Sequence, residues 1–427
     1  MSGNDDGSLT AGRSSIGAGW AARALWRRHP RLEIAAASGL LLVVGSLGFA
    51  NMPGHGPAAA ELMAGGPELT SGPSTSSTPS PTSDVMPTVT SSTAATTPAP
   101  SSTSSPTPSA GTGSSRPTAR PATGGYAVPA SVDSSGRSDA SAALNKWIAS
   151  VPNGSTIVFR SGGTYLLNSA IKFSHRRSLV FEGNGATLKG NGGTTETSSL
   201  FWIGSYGGAA SGITIRDFNL VGNSSHPGVY VGGKEGAHGV LVDGASNVVI
   251  KNVTISKVWG DCLYVGGGAS GVTFTGNHCA SNGRNGVTVT SGSAIAISKN
   301  RFDDAGYNTF DLEPNRSSEV IRNVKLLSNR AGSWSNAFLS AEGASGSTIN
   351  GVTVTGNVET SKPLLTAIQM ARRQNVIFTN NRSSVRGAGP VLRFAHIDGL
   401  VVTGNSQPLS SGSLASISDC TGVTYKA

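Results

Sequence analysis

The stretch SGVTFTGN at 270–277 and its echo SAIAISKN at 293–300 decide how this chain folds. Each alternates apolar and polar side chains and then turns at an asparagine, the period-two pattern of a strand with one buried face. SNVVIKN from Ser246 precedes them, and RNVKLLSN from Arg322, GVTVTGN from Gly351, NVIFTNN from Asn375 and GLVVTGN from Gly399 follow. In six consecutive copies the closing asparagine, at Asn277, Asn300, Asn329, Asn357, Asn381 and Asn405, recurs at intervals of 23, 29, 28, 24 and 24 residues. A period near 24 is what a solenoid coil of about three short strands requires. Asparagine tolerates the left-handed backbone of a tight turn, and copies stacked about 4.8 Å apart can hydrogen-bond along their column. This ladder and the Val/Ile stripes are therefore structural.

Upstream, SDASAALNKWIASV from Ser138 has helical spacing in Ala143, Leu144, Trp147, Ile148 and Val151, with Ser138 or Asp139 as its N-cap. An open solenoid end needs such a cover. NGSTIVFRSGGTYLL and SLVFEGNGATLKG then supply the first strands. The order of amphipathic helix, PNGSTIVFRSGGTYLL, LVFEGNGATLKG and stacked coils ending in Gly-Asn resembles the pectate-lyase-like superfamily over residues 126–427. The resemblance implies an all-β, right-handed single-stranded parallel β-helix. That superfamily houses polysaccharide lyases, glycoside hydrolases, epimerases and non-catalytic binders, so fold alone leaves the activity open.

Residues 1–33 carry Arg13, Arg23, Arg27, Arg28 and Arg31, and IAAASGLLLVVGSLGFA at 34–50 is uncharged. This predicts a basic cytoplasmic N-terminus and a single transmembrane or signal-anchor helix, with the C-terminal domain outside the cell membrane. Cleavage near Ala58, Ala59 and Ala60 would instead give a secreted protein. Residues 51–125, dominated by Ser, Thr, Pro, Ala and Gly, are expected to form a disordered linker. One globular unit, 126–427, remains.

Charged residues are only 13% of the chain, which with 58 glycines and recurrent Val, Ile and Thr favours a β-repeat over a helical bundle. Of the net charge of +9, the seven Lys/Arg and six Asp/Glu before Tyr126 account for +1, leaving 25 Lys/Arg against 17 Asp/Glu on the folded part. At an outer cell face, a basic surface points to an acidic or cell-wall polysaccharide as partner, not to nucleic acid. Nothing in the sequence calls for an oligomer, so a monomer is expected. Cys262, Cys279 and Cys420 are too few for a disulfide scaffold. Because 17 residues is not a whole coil, Cys262 and Cys279 are expected to be buried thiols, not a bridge.

Candidate chemistry lies on the second run of each coil: GDCLYVGG from Gly260, RNGVTVTS from Arg284, YNTFDLEPN from Tyr307 and NAFLSAEG from Asn336. Stacking them with Leu263, Val287 and Phe310 inward puts Tyr264, Thr288 and Asp311 in one outward column, and Gly266, Thr290, Glu313 and Glu342 in the next. Asp261 and Asn285 lie at the turn leading into this face, with Arg284 beside them, and the coil before adds His238 and Asp243. Trp259 and Trp334 are candidate sugar platforms or turn packing.

The expected catalytic groups are Asp261, Asp311, Glu313 and Arg284, with His238, Asp243, Tyr264, Asn285 and Glu342 binding substrate. Clustered carboxylates must raise a pKa or bind a cation. No cofactor is required, although Asp261, Asp311 and Glu313 could hold calcium. Two carboxyls suit glycoside hydrolysis, and Arg284 with His238 or Tyr264 suits β-elimination from a uronide. A surface-attached or secreted polysaccharide lyase or hydrolase is therefore expected, the alternative being a non-catalytic wall-binding or adhesive module. GDC at 260–262 resembles part of the polygalacturonase paired-aspartate signature, but the adjacent second aspartate is missing.

Overall fold

Strands of two to eight residues pair in parallel with strands one coil away, in a computed structural model that describes residues 125–205, 208–363, 366–368 and 372–426. Among the described residues they build a 12-stranded sheet from Tyr126–Ala127 to Thr421–Lys426 and two 10-stranded sheets. Each coil visits the sheets in one order. Thr254–Ser256 lies in the second sheet, Leu263–Gly266 in the third and Ala269–Thr275 in the first, before His278–Ala280 opens the next coil. The repeat is in phase throughout: Val272, Ile295, Val324, Val352, Val376 and Leu400 are successive partners.

The inward side chains of all three sheets meet in one continuous apolar core. Large rings help fill it, as in the edge-to-face contacts of Phe302 with Phe310 and of Phe310 with Phe338. At the N-terminal end the helix Ser141–Ser150 buries Leu144 and Ile148 against the first coils. Asp139 does serve its N-terminus, accepting from the Ser141 amide at 3.0 Å, while Ala140 occupies the N-cap position itself.

The asparagine ladder forms as expected from Asn277 to Asn405, every member buried. Asn329 shows the pattern. Its side-chain amide donates to the Ile297 carbonyl at 2.9 Å and to Asn357 Oδ1 at 3.0 Å, while its Oδ1 accepts the Asn300 amide N–H at 3.0 Å. Asn329→Ala strands several buried groups, each costing about 1–3 kcal/mol. Thermal unfolding of the variant should start several degrees below the wild type; an unchanged melting curve would show the ladder to be dispensable.

The cysteine expectation is overturned, because Cys262 and Cys279 form a disulfide. Cys279 pairs in register with Ile255 of the coil before, and Ile255, Cys262 and Cys279 all lie in the buried core. The bridge joins the turn that leads into Leu263–Gly266 to the second-sheet strand His278–Ala280 of the next coil, a relation that does not need a whole-coil separation. Cys420 is free. The basic, apolar and Ser/Thr/Pro-rich segments expected before Tyr126 lie outside the described residues. Among the described residues no helix is long and apolar enough to cross a membrane.

Candidate functional site

The third sheet carries the site because its turns stack a second polar column. Asp261 Oδ1 accepts the Asn285 amide N–H at 2.9 Å, Asn285 Oδ1 accepts the Asn308 amide N–H at 2.9 Å, and Asn336 donates its side-chain amide to Asn308 Oδ1 at 2.7 Å. Asp261 therefore takes the place that asparagine holds in the next two coils, while Asn336 joins the column from one residue out of register, Ala337 being the partner of Asn308. A carboxylate there, at 0% exposure, needs a countercharge.

Arg284 supplies it. Its Nη1 lies 3.5 Å from Asp261 Oδ2, its Nη2 lies 4.0 Å from Asp311 Oδ2, and the same Nη2 binds Glu313 Oε2. The outward register is the one expected from the repeat, Tyr264 pairing with Thr288 and Thr288 with Asp311. Asp311 is only 3% exposed, and its Oδ2 accepts the side-chain amides of Asn285 at 3.1 Å and Asn308 at 3.0 Å. Glu313, with its side chain 37% exposed, is the mouth of the cluster.

Burial, and then the Glu313 charge, push the Asp311 carboxyl up to about 8, against the opposing pull of Arg284 and Asn308. Asp311 is thus protonated at neutral pH, and since Oδ2 takes two amide donors, Oδ1 carries the proton. Burial raises Glu313 and Asp261 as well, against the pull of Arg284 on each. Burial works against the Arg284 charge too, yet Asp261, Glu313 and Asp311 together hold its pKa above the ordinary arginine value. Arg284 thus faces three carboxyl groups, each of which burial pushes toward its neutral form.

His238 is buried behind this group and its Nδ1 accepts the Asp261 amide N–H at 3.1 Å. Burial, reinforced by the Arg284 charge, pushes the imidazole down to about 3. The ring is neutral, so its 3.5 Å approach to Asp261 Oδ2 is not an ion pair. Tyr264 stacks on it at 4.7 Å, its phenol pushed up to about 12 by burial.

The structure thus gathers Asp261, Arg284, Asn285, Asp311 and Glu313, with His238 and Tyr264 packed behind. Glu342 stands one rung beyond Glu313 and acts on it through its charge. Asp243 pairs with Gly266, three rungs from Glu313 or about 14 Å along the column. The calcium arrangement does not fit: Asp261, Asp311 and Glu313 surround the Arg284 guanidinium, which fills the place a cation would take. Trp259 and Trp334 are both buried and act as packing. Missed by the sequence reading were Tyr230 and Glu235, which lie in a long connection outside the repeat, where periodicity carries no signal.

The family described as Right handed beta helix region matches residues 148–382 and 238–424. No curated protein matches the chain. Among solved structures, the chain is similar to an alginate lyase from Paenibacillus sp. str. FPU-7, at 13% identity and TM-score 0.43 over 67% of this chain and 97% of that one. It is similar to the adhesin PfbA of Streptococcus pneumoniae, at 13% identity and TM-score 0.41 over 68% and 96%. It is also similar to a Family 28 exopolygalacturonase of Yersinia enterocolitica, at 10% identity and TM-score 0.40 over 68% and 76%. The likeness extends to the coil architecture alone.

Proposed function

The chain belongs to the right-handed β-helix family, and from that premise we propose that it is a carbohydrate-active enzyme that hydrolyses a cell-wall polysaccharide at the Asp311–Glu313 cluster. The observation that carries this reading is two carboxyls, the buried Asp311 and the more exposed Glu313, converging on a single guanidinium nitrogen, with Glu313 at the mouth. Their shared contacts with that nitrogen hold the two carboxyls close together, as the ~5–5.5 Å separation of a retaining pair requires. In this scheme a Glu313 oxygen attacks the anomeric carbon as its bond to the leaving oxygen breaks, and the Asp311 proton passes to that oxygen. Water, giving its proton to the Asp311 carboxylate, then displaces Glu313 from the sugar. Once Glu313 is esterified its charge is gone, which lowers the Asp311 pKa and suits it to the second step.

β-Elimination is less well served. It needs an uncommitted cation for the uronate and a free base, whereas Arg284 is matched by carboxylates and His238 has Nδ1 engaged with the Asp261 amide. Arg284 and Asp261 are accordingly positioning groups, and a guanidinium already engaged by three carboxyls favours an uncharged sugar at the point of cleavage. Attachment to the outer cell surface is part of the proposal and rests on the apolar and Ser/Thr/Pro-rich segments of the sequence. The competing reading, a wall-binding module without catalysis, is favoured by the deep burial of Asp261 and Asp311.

The test is digestion of xylan, α- and β-glucans, polygalacturonate and alginate by the full chain, scoring reducing ends and ultraviolet-absorbing unsaturated ends separately. Reducing ends without unsaturation are expected. Unsaturated products would replace hydrolysis by elimination, and saturable binding with neither product would leave the binding module.

A further inference from the structure

We infer that Tyr230, backed by Tyr307, is a stacking platform for a pyranose ring beside the carboxylate cluster, an inference that rests on the carbohydrate-active reading and gives that site a binding subsite. The connection 222–239 is the long one between the second and third sheets. It separates Asn219–Val221 from Val240–Asp243, whereas only 257–262 separates Thr254–Ser256 from Leu263–Gly266 in the next coil. It runs as a strap over the turns of several later coils. Ser224 N–H donates to the Lys257 carbonyl at 2.9 Å, Lys234 Nζ lies 4.8 Å over the Trp259 ring, and Gly228 sits against Asp304. Two later turns are shaped to receive it: a Cβ at Gly260 would strike the Glu235 carbonyl, and one at Gly306 would lie 2.9 Å from the Tyr230 nitrogen.

The strap presents Tyr230 as a residue 41% exposed, an unusual state for so large a side chain beside a buried charge cluster. The ring is held from two directions. Its hydroxyl donates to Glu235 Oε1 at 2.7 Å, and Tyr307 lies 5.3 Å behind it at an interplanar angle of 33°. Tyr307 is itself tied to the site, because its N–H donates to the Arg284 carbonyl at 2.8 Å and its carbonyl accepts the Asn336 N–H at 2.9 Å. Arg284 and Glu313 are close enough to act on the Tyr230 phenol by charge. A rigid aromatic face with a polar edge, next to a hydrolytic carboxylate, is suited to the apolar face of a pyranose, and its preorganisation spares the entropy cost of ordering it on binding.

The discriminating experiment is affinity electrophoresis of the full chain in gels containing xylan, β-glucan, α-glucan or polygalacturonate, with KM measured on any polymer that is cleaved. Tyr230→Ala should weaken retardation about tenfold or more, while Tyr230→Phe stays within about twofold of wild type, because the face survives and only the hydroxyl is lost. Tyr230→Leu, which keeps bulk against Tyr307 without an aromatic face, should fall with Tyr230→Ala and serves if the alanine variant does not fold. Equal loss in Tyr230→Phe would make the residue a strap anchor through Glu235 and overturn the platform. So would unchanged binding by Tyr230→Ala or Tyr230→Leu, or a wild type that none of the polymers retards. Retardation lost in Tyr230→Ala with no polymer cleaved would sustain the platform and remove hydrolysis; cleavage with an unchanged KM in Tyr230→Ala would do the reverse.

Discussion

Asp311→Asn should lower kcat for polysaccharide hydrolysis by a factor of about a thousand or more while leaving the melting temperature nearly unchanged. The two halves of that expectation have different causes. Asparagine can place its carbonyl oxygen where Oδ2 now accepts the Asn285 and Asn308 amides, so the buried network stays satisfied. What it cannot do is deliver a proton to the leaving oxygen. Removing a carboxyl also relieves the cost of burying an ionisable group: because the folded pKa of about 8 exceeds the unfolded value near 3.9, Asp311 draws stability from the wild type as pH rises from about 4 to 8. The variant should therefore hold its stability better than wild type at the upper end of that window. The same ionisation sets the activity profile, whose alkaline limb should fall near pH 8 as the acid loses its proton. Full activity in Asp311→Asn would end the proposed mechanism, and lost activity accompanied by a collapse in melting temperature would make Asp311 a structural residue.

The solenoid was legible because its two signals are local and repeated, the alternation of apolar positions and the asparagine that follows them. Whole-coil gaps also translate directly into stacking, so Tyr264, Thr288 and Asp311 could be aligned before any coordinates. Burial was harder to read. Asp261 looks like a turn residue on an outward face, yet it is the head of a second ladder, and only the partner asparagines of later coils reveal that an acid there lies inside. The strap was silent because 222–239 has no periodicity, and its docking on Gly260 and Gly306 depends on backbone approach. The Cys262–Cys279 bridge was missed because stacking within one sheet was taken as the only way for coils to meet, although the core also joins different sheets.

Glu359→Met should make the protein more stable, by an amount that grows with pH. Two residues after each ladder asparagine the side chain turns into the core: Cys279, Phe302 and Ala331 precede Glu359 in that column, and Ser383 follows it. Glu359 is 0% exposed, and among the described residues neither carboxyl oxygen has a hydrogen-bond partner. Burial alone pushes the carboxyl up to about 10. Buried Arg373 is not its partner, since the charge acting on that guanidinium is Glu342. The unfolded chain ionises glutamate near 4.3, so between about pH 4 and pH 10 the unfolded state binds fewer protons and stability drains away as pH rises. Methionine has a similar unbranched length, no charge and no unmet hydrogen bond. At pH 5 its gain should be roughly 1–3 kcal/mol, the cost of an unsatisfied buried polar group, and at pH 9 the linkage should add several kcal/mol more. Asp311 and the other titrating groups are common to both proteins and cancel in the difference. Chemical denaturation of the pair at the two pH values measures it directly. A gain of equal size at both would mean that Glu359 finds a countercharge in the folded protein, and a loss at both would mean that the column needs a carboxyl at this rung.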